Sequence, residues 1–127
     1  MTHEMLEFIR HLNTTGARSM VIGGYALAFL GVPRYTKDLD LWIDLLEAPR
    51  VLEAIKSFFG GDDLGLMLDD LSTPGVVQLG CEPNRVDLVL LTEPDFDEAY
   101  RSQAHEVEGV TVRLVSREDF VRLKIAF

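Results

Sequence analysis

Ser19-Met-Val-Ile-Gly-Gly24, followed after a short apolar stretch by Arg34-Tyr-Thr-Lys-Asp-Leu-Asp-Leu-Trp-Ile-Asp44, decides how this chain folds. The first segment is an apolar strand that closes on a glycine pair. The second alternates: in a β-strand every other side chain shares a face, so Asp38 and Asp40 project together while Leu39, Leu41 and Ile43 turn into a core. Two carboxylates side by side repel unless a cation lies between them, and a hard, oxygen-seeking ion such as Mg²⁺ or Mn²⁺ suits them. Further on, Arg85-Val-Asp-Leu-Val-Leu-Leu91 repeats the device, with Asp87 on the face opposite Val86, Leu88 and Leu90. A third carboxylate on a neighbouring strand would complete an acidic site. A strand running through Gly23 and Gly24 into a helix leaves unpaired backbone N–H groups at the positive end of the helix dipole, where glycine lets a phosphate approach. The pattern is neither a P-loop, which needs Gly-Lys-Ser/Thr, nor a Gly-x-Gly-x-x-Gly fingerprint.

Together, Gly23-Gly24, Asp38-Leu-Asp40 and Asp87 resemble the nucleotidyltransferase superfamily typified by DNA polymerase beta. Within it, Gly-Gly-Tyr-Ala-Leu followed by Gly31-Val-Pro-Arg-Tyr-Thr-Lys-Asp-Leu-Asp40 is most similar to the AbiEii-type abortive-infection toxins and related bacterial nucleotidyltransferases. The resemblance implies an α+β fold with a mixed sheet of about four or five strands flanked by helices. It also implies transfer of a nucleoside monophosphate from an NTP to a hydroxyl of a protein, a tRNA or a small molecule, in a toxin–antitoxin or defence setting. One Mg²⁺ or Mn²⁺ held by Asp38, Asp40 and Asp87 would align and acidify the acceptor hydroxyl, and a second, on Asp38 and Asp40, would bind the donor phosphates. Arg34 and Thr36 would contact the triphosphate, and Lys124 matches a lysine that related proteins carry in their last helix. Those relatives continue past that lysine into an acidic helical region, whereas here Arg122-Leu-Lys-Ile-Ala-Phe127 stops.

Composition is compatible with this reading without requiring it. A chain of 127 residues with 47% hydrophobic content can bury a core as one domain, 1–127. A formal net charge of −9 opposes a broad phosphate-backbone footprint, which takes a clustered basic surface. Cys81 is the single cysteine, so neither a disulfide framework nor a cysteine zinc site is available. No signal-peptide core and no apolar run of membrane length is present, which fits a cytoplasmic protein.

Periodicity orders the remaining elements. Met5, Phe8, Ile9 and Leu12 fall at helical spacing, with Gly16 placed to end that helix. Gly24 to Leu30 reads as a helix, and Gly31-Val-Pro33 as the break before the acidic strand. Val51, Leu52, Ile55, Phe58 and Phe59 form a helical stripe stopped by Gly60-Gly61. The acidic region Asp62 to Pro74 holds a short helix at Leu64 to Leu71. Strands are expected at Val76–Leu79, Arg85–Leu91 and Val110–Val115, and a helix at Asp95–Ser102. Ser116, followed by Glu118 and Asp119, caps a final helix with an acidic first turn.

The other polar residues leave alternatives open. Asp44 reads as a structural residue at the strand end, Lys37 as a phosphate contact or a solvated loop residue, and Tyr25 as a base-stacking or a core aromatic. His3, His11 and His105 form no ligand-spaced group, and His3 and His11 are expected on the solvated side of the first helix. In the last helix Phe120, Leu123 and Phe127, with Ile125, make an apolar stripe that needs a cover: the first helix, a homodimer or a helical partner protein. Two readings compete with the enzyme: an inactive interaction module of the same fold, and a metal-dependent hydrolase, which leaves the glycine pair unexplained.

Overall fold

The computed structural model of the protein describes residues 1–29, 31, 37–100 and 104–126, with the side chains of 124–126 outside that description. Helix α1 (His3–Thr15) starts where the Thr2 hydroxyl accepts the Met5 N–H at 3.2 Å. It ends at Gly16, whose φ of +79° is the left-handed conformation that glycine adopts without strain. Its apolar stripe of Met5, Leu6, Phe8, Ile9 and Leu12 is buried. Helix α3 (Ala48–Phe58) takes Pro49 in its first turn and buries Val51, Ala54 and Ile55. The two helices meet through Phe8 and Phe58, edge to face with centroids 5.5 Å apart.

The sheet has the order β1–β2–β4–β3, built from β1 (Ser19–Ile22), β2 (Leu39–Ile43), β4 (Val86–Leu90) and β3 (Gly75–Leu79). β2 and β4 run parallel at its centre, and each edge strand is antiparallel to its neighbour. Alternation divides the residues as the sequence indicates. Leu39, Leu41, Ile43, Val86, Leu88 and Leu90 share one face; Leu79 and Val86 on that face border the same cavity as Phe8 of α1 and Phe58 of α3. The opposite face carries Asp40, Trp42, Asp87 and Val89. Trp42 is fully buried, edge-on to Phe96 at 5.2 Å. Helix α2 (Gly23–Phe29) follows β1 directly, and α6 (Arg117–Ala126) closes over the carboxylate face. The mixed sheet and its helices are the expected α+β arrangement.

Several elements differ from expectation. The strand β5 (Ala104–Val107) was not predicted; it pairs with β6 (Val110–Arg113) as a separate hairpin. Its turn is Glu108-Gly109, both at positive φ, a weaker signal than Asn-Gly or Asp-Gly. Helix α4 shrinks to Leu68–Leu71, because Asp62 and Asp63 accept the N–H groups of Leu64 and Gly65 and turn the chain instead. Helix α5 covers Phe96–Ala99, capped by Asp95; 101–103 lie outside the described residues. His11 bonds Ser57 Oγ at 2.8 Å and packs on Phe58, so it joins α1 to α3 rather than facing only water.

The final helix behaves differently from the uncovered stripe expected of it. Ser116 caps it as read, its Oγ accepting the Asp119 N–H at 3.1 Å. Leu123 is buried and Phe120 packs against the same core, both beside Ile22 and Val89 of the sheet. Within the described part of the stripe, Phe120 and Leu123 therefore lie against this chain's own sheet. Phe127 and the side chain of Ile125 lie outside the described residues.

Candidate functional site

The site forms where the two central strands begin. The Leu39 N–H donates to the Arg85 carbonyl at 3.1 Å, which locks the strand entrances together, and the register sets Asp40 directly beside Asp87. Asp38 stands one residue before β2, level with Arg85. Because Arg85 and Asp87 are two apart on one strand, the arginine can fold along it onto the aspartate. It does so as a fork: Nε lies 3.0 Å from Oδ1 and Nη2 3.1 Å from Oδ2 of Asp87. Its Nη1 is 3.9 Å from Asp38 Oδ2. The hydrogen bonds to Asp87 hold the guanidinium pKa above its ordinary value.

Asp40 has no such partner among the described residues. Burial, followed by the charges of Asp87 and Asp38, pushes its carboxyl up to about 6, with Arg85 pulling the other way. On the rim, Glu82 hydrogen-bonds Asp38, and that bond raises the Glu82 carboxyl above the usual range. Gly23 adopts φ +69°, and a Cβ on it would overlap the Asp40 carboxylate. Its positive φ favours glycine, and a side chain there would also press on the Asp40 carboxylate, a reason for glycine beside the phosphate cradle expected from the sequence. Beside the carboxylates lies a cavity of about 300 Å³ walled mainly by Ile22, Val76, Val89, Phe120 and Leu123.

Of the residues singled out from the sequence, Asp38, Asp40, Asp87 and Gly23 come together, and Gly24 follows as the second residue of α2. Arg34 and Thr36 lie outside the described residues, as does the side chain of Lys124. Lys37 is exposed, close enough to Glu82 to act on it electrostatically. Tyr25 packs, partly buried, against the core. Asp44 is structural: it caps the 3₁₀ turn at Leu45–Glu47 and pairs with Arg18. Arg85 and Glu82 also belong to the site, though the sequence does not single them out. Arg85 had a signal, since its spacing from Asp87 places both on one face; Glu82 had none, because the turn through Pro83 and Asn84 brings it in.

The donor chemistry of Asp38 and Asp40 fits a divalent ion, and the raised Asp40 carboxyl shows the charge such an ion would neutralise. Asp87 does not fit as placed, since Arg85 takes both of its oxygens. Among the described residues, no three His, Cys, Asp or Glu side chains are grouped to hold a metal. The carboxylates make a ledge open to a cation, and not a finished cage.

The fold matches that of a solved structure, the putative nucleotidyltransferase TM1012 of Thermotoga maritima. The TM-score is 0.64 over 94% of this chain and 80% of that one, at 16% sequence identity. At that identity the likeness is one of fold, and it establishes the nucleotidyltransferase fold for this chain. No protein-family model matches the sequence, and no curated protein is significantly similar to it. No helix among the described residues is long and apolar enough to cross a membrane.

Proposed function

We propose that the protein is a nucleotidyltransferase that moves a nucleoside monophosphate from an NTP to a hydroxyl of a protein, a tRNA or a small molecule. The observation that carries this reading is the convergence of Asp38, Asp40 and Asp87 beside the Gly23 turn, on the carboxylate face of a sheet with this fold. Asp38 and Asp40 would hold a divalent ion, Mg²⁺ or Mn²⁺, which would supply charge neutralisation for the donor phosphates. Gly23 and Gly24 let the backbone at the start of α2 stand close to the donor, and Arg34, Thr36 and Lys124 supply further cationic or hydroxyl contacts. Asp87, once Arg85 has moved off its oxygens, would accept the proton of the acceptor hydroxyl. The acceptor oxygen bonds the α-phosphorus as the bond to the bridging oxygen breaks, and pyrophosphate leaves.

Similarity of the Gly23–Asp40 segment to AbiEii-type toxins supports a toxin–antitoxin or defence role. The apolar residues Ile125 and Phe127 at the end of the sequence support a homodimer or a helical partner, and light scattering of wild type against Phe127→Asp distinguishes dimer from monomer. One observation favours a second reading. Arg85 already neutralises Asp87, as it would in an inactive interaction module of the same fold. Incubation with each α-labelled NTP and Mg²⁺ in lysate decides between them. Label transferred to a macromolecule or metabolite by the wild type, and not by the Asp38→Asn, Asp40→Asn double variant, supports the enzyme. Binding without transfer supports the module.

A further inference from the structure

We propose that Arg85 is a latch: in the free protein it holds Asp87 and reaches toward Asp38, and a divalent ion gains Asp87 only by displacing it. The inference rests on the nucleotidyltransferase reading for the nature of the competing ion; the latch itself is geometric. A guanidinium fork bonded to both oxygens of a carboxylate takes one lone pair on each and sets a positive charge where a metal would approach, so the two compete for it. Asp87 is the most buried of the three aspartates, so its charge calls for a cation, and among the described residues Arg85 is the one paired with it. Arg85 itself is 29% exposed and rooted at the strand entrance, so it can swing into water when a stronger cation arrives. Asp40, in register with Asp87, has no ion-pair partner among the described residues. The resting site therefore offers an ion the Asp38–Asp40 ledge first and Asp87 second. Arg85 acts through Asp87 and is a positioning residue.

Mn²⁺ titration of the full chain without nucleotide, read by electron paramagnetic resonance, tests this. Arg85→Gln keeps length and hydrogen bonding without the charge. Arg85→Lys keeps the charge without the fork. Both are expected to bind Mn²⁺ more tightly than wild type, by about twofold to fivefold, the measure of a partly exposed ion pair removed. Adding Asp87→Asn to Arg85→Gln is expected to return the affinity to the wild-type level, because the gain comes through Asp87. Thermal melts establish that each variant is folded, and Arg85→Lys serves if Arg85→Gln is not. Wild-type affinity in Arg85→Lys reduces the effect to net charge and overturns the latch. So does wild-type affinity in Arg85→Gln, or a gain that survives Asp87→Asn. Mn²⁺ bound by every variant with equal affinity sinks the latch alone; millimolar Mn²⁺ bound by none sinks the metal-dependent reading and the latch with it.

Discussion

Just past the end of β2, Arg18 is shared among Asp44, Glu47 and Asp97 at 3.2, 3.3 and 2.6 Å; at the start of the same strand, Arg85 faces Asp38 and Asp87 with Asp40 beside them. The materials are alike and the outcomes differ. Around Arg18 each buried acid has another tie: Asp44 also caps the Leu46 N–H, and Glu47 also meets Arg50. The guanidinium lies 5.2 Å from the ring centroids of both Phe96 and Tyr100, which adds cation–π attraction. Around Arg85 one fork must serve several carboxylates, and Asp40 is left with a carboxyl near 6. A cluster whose acids are each tied to a partner clamps secondary structure. An acid-rich one stores repulsion that an arriving cation relieves, and that imbalance marks the site.

Breaking the clamp should cost most. Arg18→Ala takes the shared guanidinium from the buried Glu47 and the half-buried Asp44, leaving Arg50 and the Leu46 N–H as their remaining ties, and removes both ring contacts, so chemical denaturation should register a loss of about 3 kcal/mol. Gly23→Ala comes next, with a loss of about 2 kcal/mol from the positive φ and the overlap with Asp40. Adding Asp40→Ala should recover part of that loss, so a double-mutant cycle reads the contact directly.

Asp40→Asn sharpens the comparison in the opposite direction. The folded-state carboxyl at about 6 lies above its ordinary 3.8, so the folded protein binds this proton more tightly than the unfolded chain. Stability therefore falls as pH rises from about 4 to 6 and stays at the lower level above that. Since Asp40 is partly solvated, the variant should gain only about 1 kcal/mol at pH 7.5, with the gain vanishing near pH 4. Asp44→Asn should instead lose stability at pH 7.5, because that carboxylate is paired. Melts across pH check both signs.

Strand alternation made the clustering of Asp38, Asp40 and Asp87 legible in the sequence, since period two fixes the face of each residue once the strands are known. Strand order was not legible: that β2 and β4 are neighbours, in a register that pairs Asp40 with Asp87, is a tertiary choice. The cover of α6 was hidden for the same reason, because Leu123 is buried beside Ile22 and Val89, far away in sequence. Gly23 was found for its place in a motif, but its positive φ and its closeness to Asp40, across the β1–β2 pairing, show only in the fold. The β5–β6 hairpin went unread because Glu108-Gly109 is a poor turn signal and β5 buries little.

Pyrophosphate release is the most direct test of the central claim that the acid-rich end of β2 is a nucleotidyl-transfer site. Wild type with NTP, Mg²⁺ and lysate as the source of acceptor should release pyrophosphate, and the Asp38→Asn, Asp40→Asn double variant should not, while Arg18→Lys retains activity wherever it stays folded. Equal release by wild type and the double variant, or none from wild type with any of the four NTPs, would contradict it.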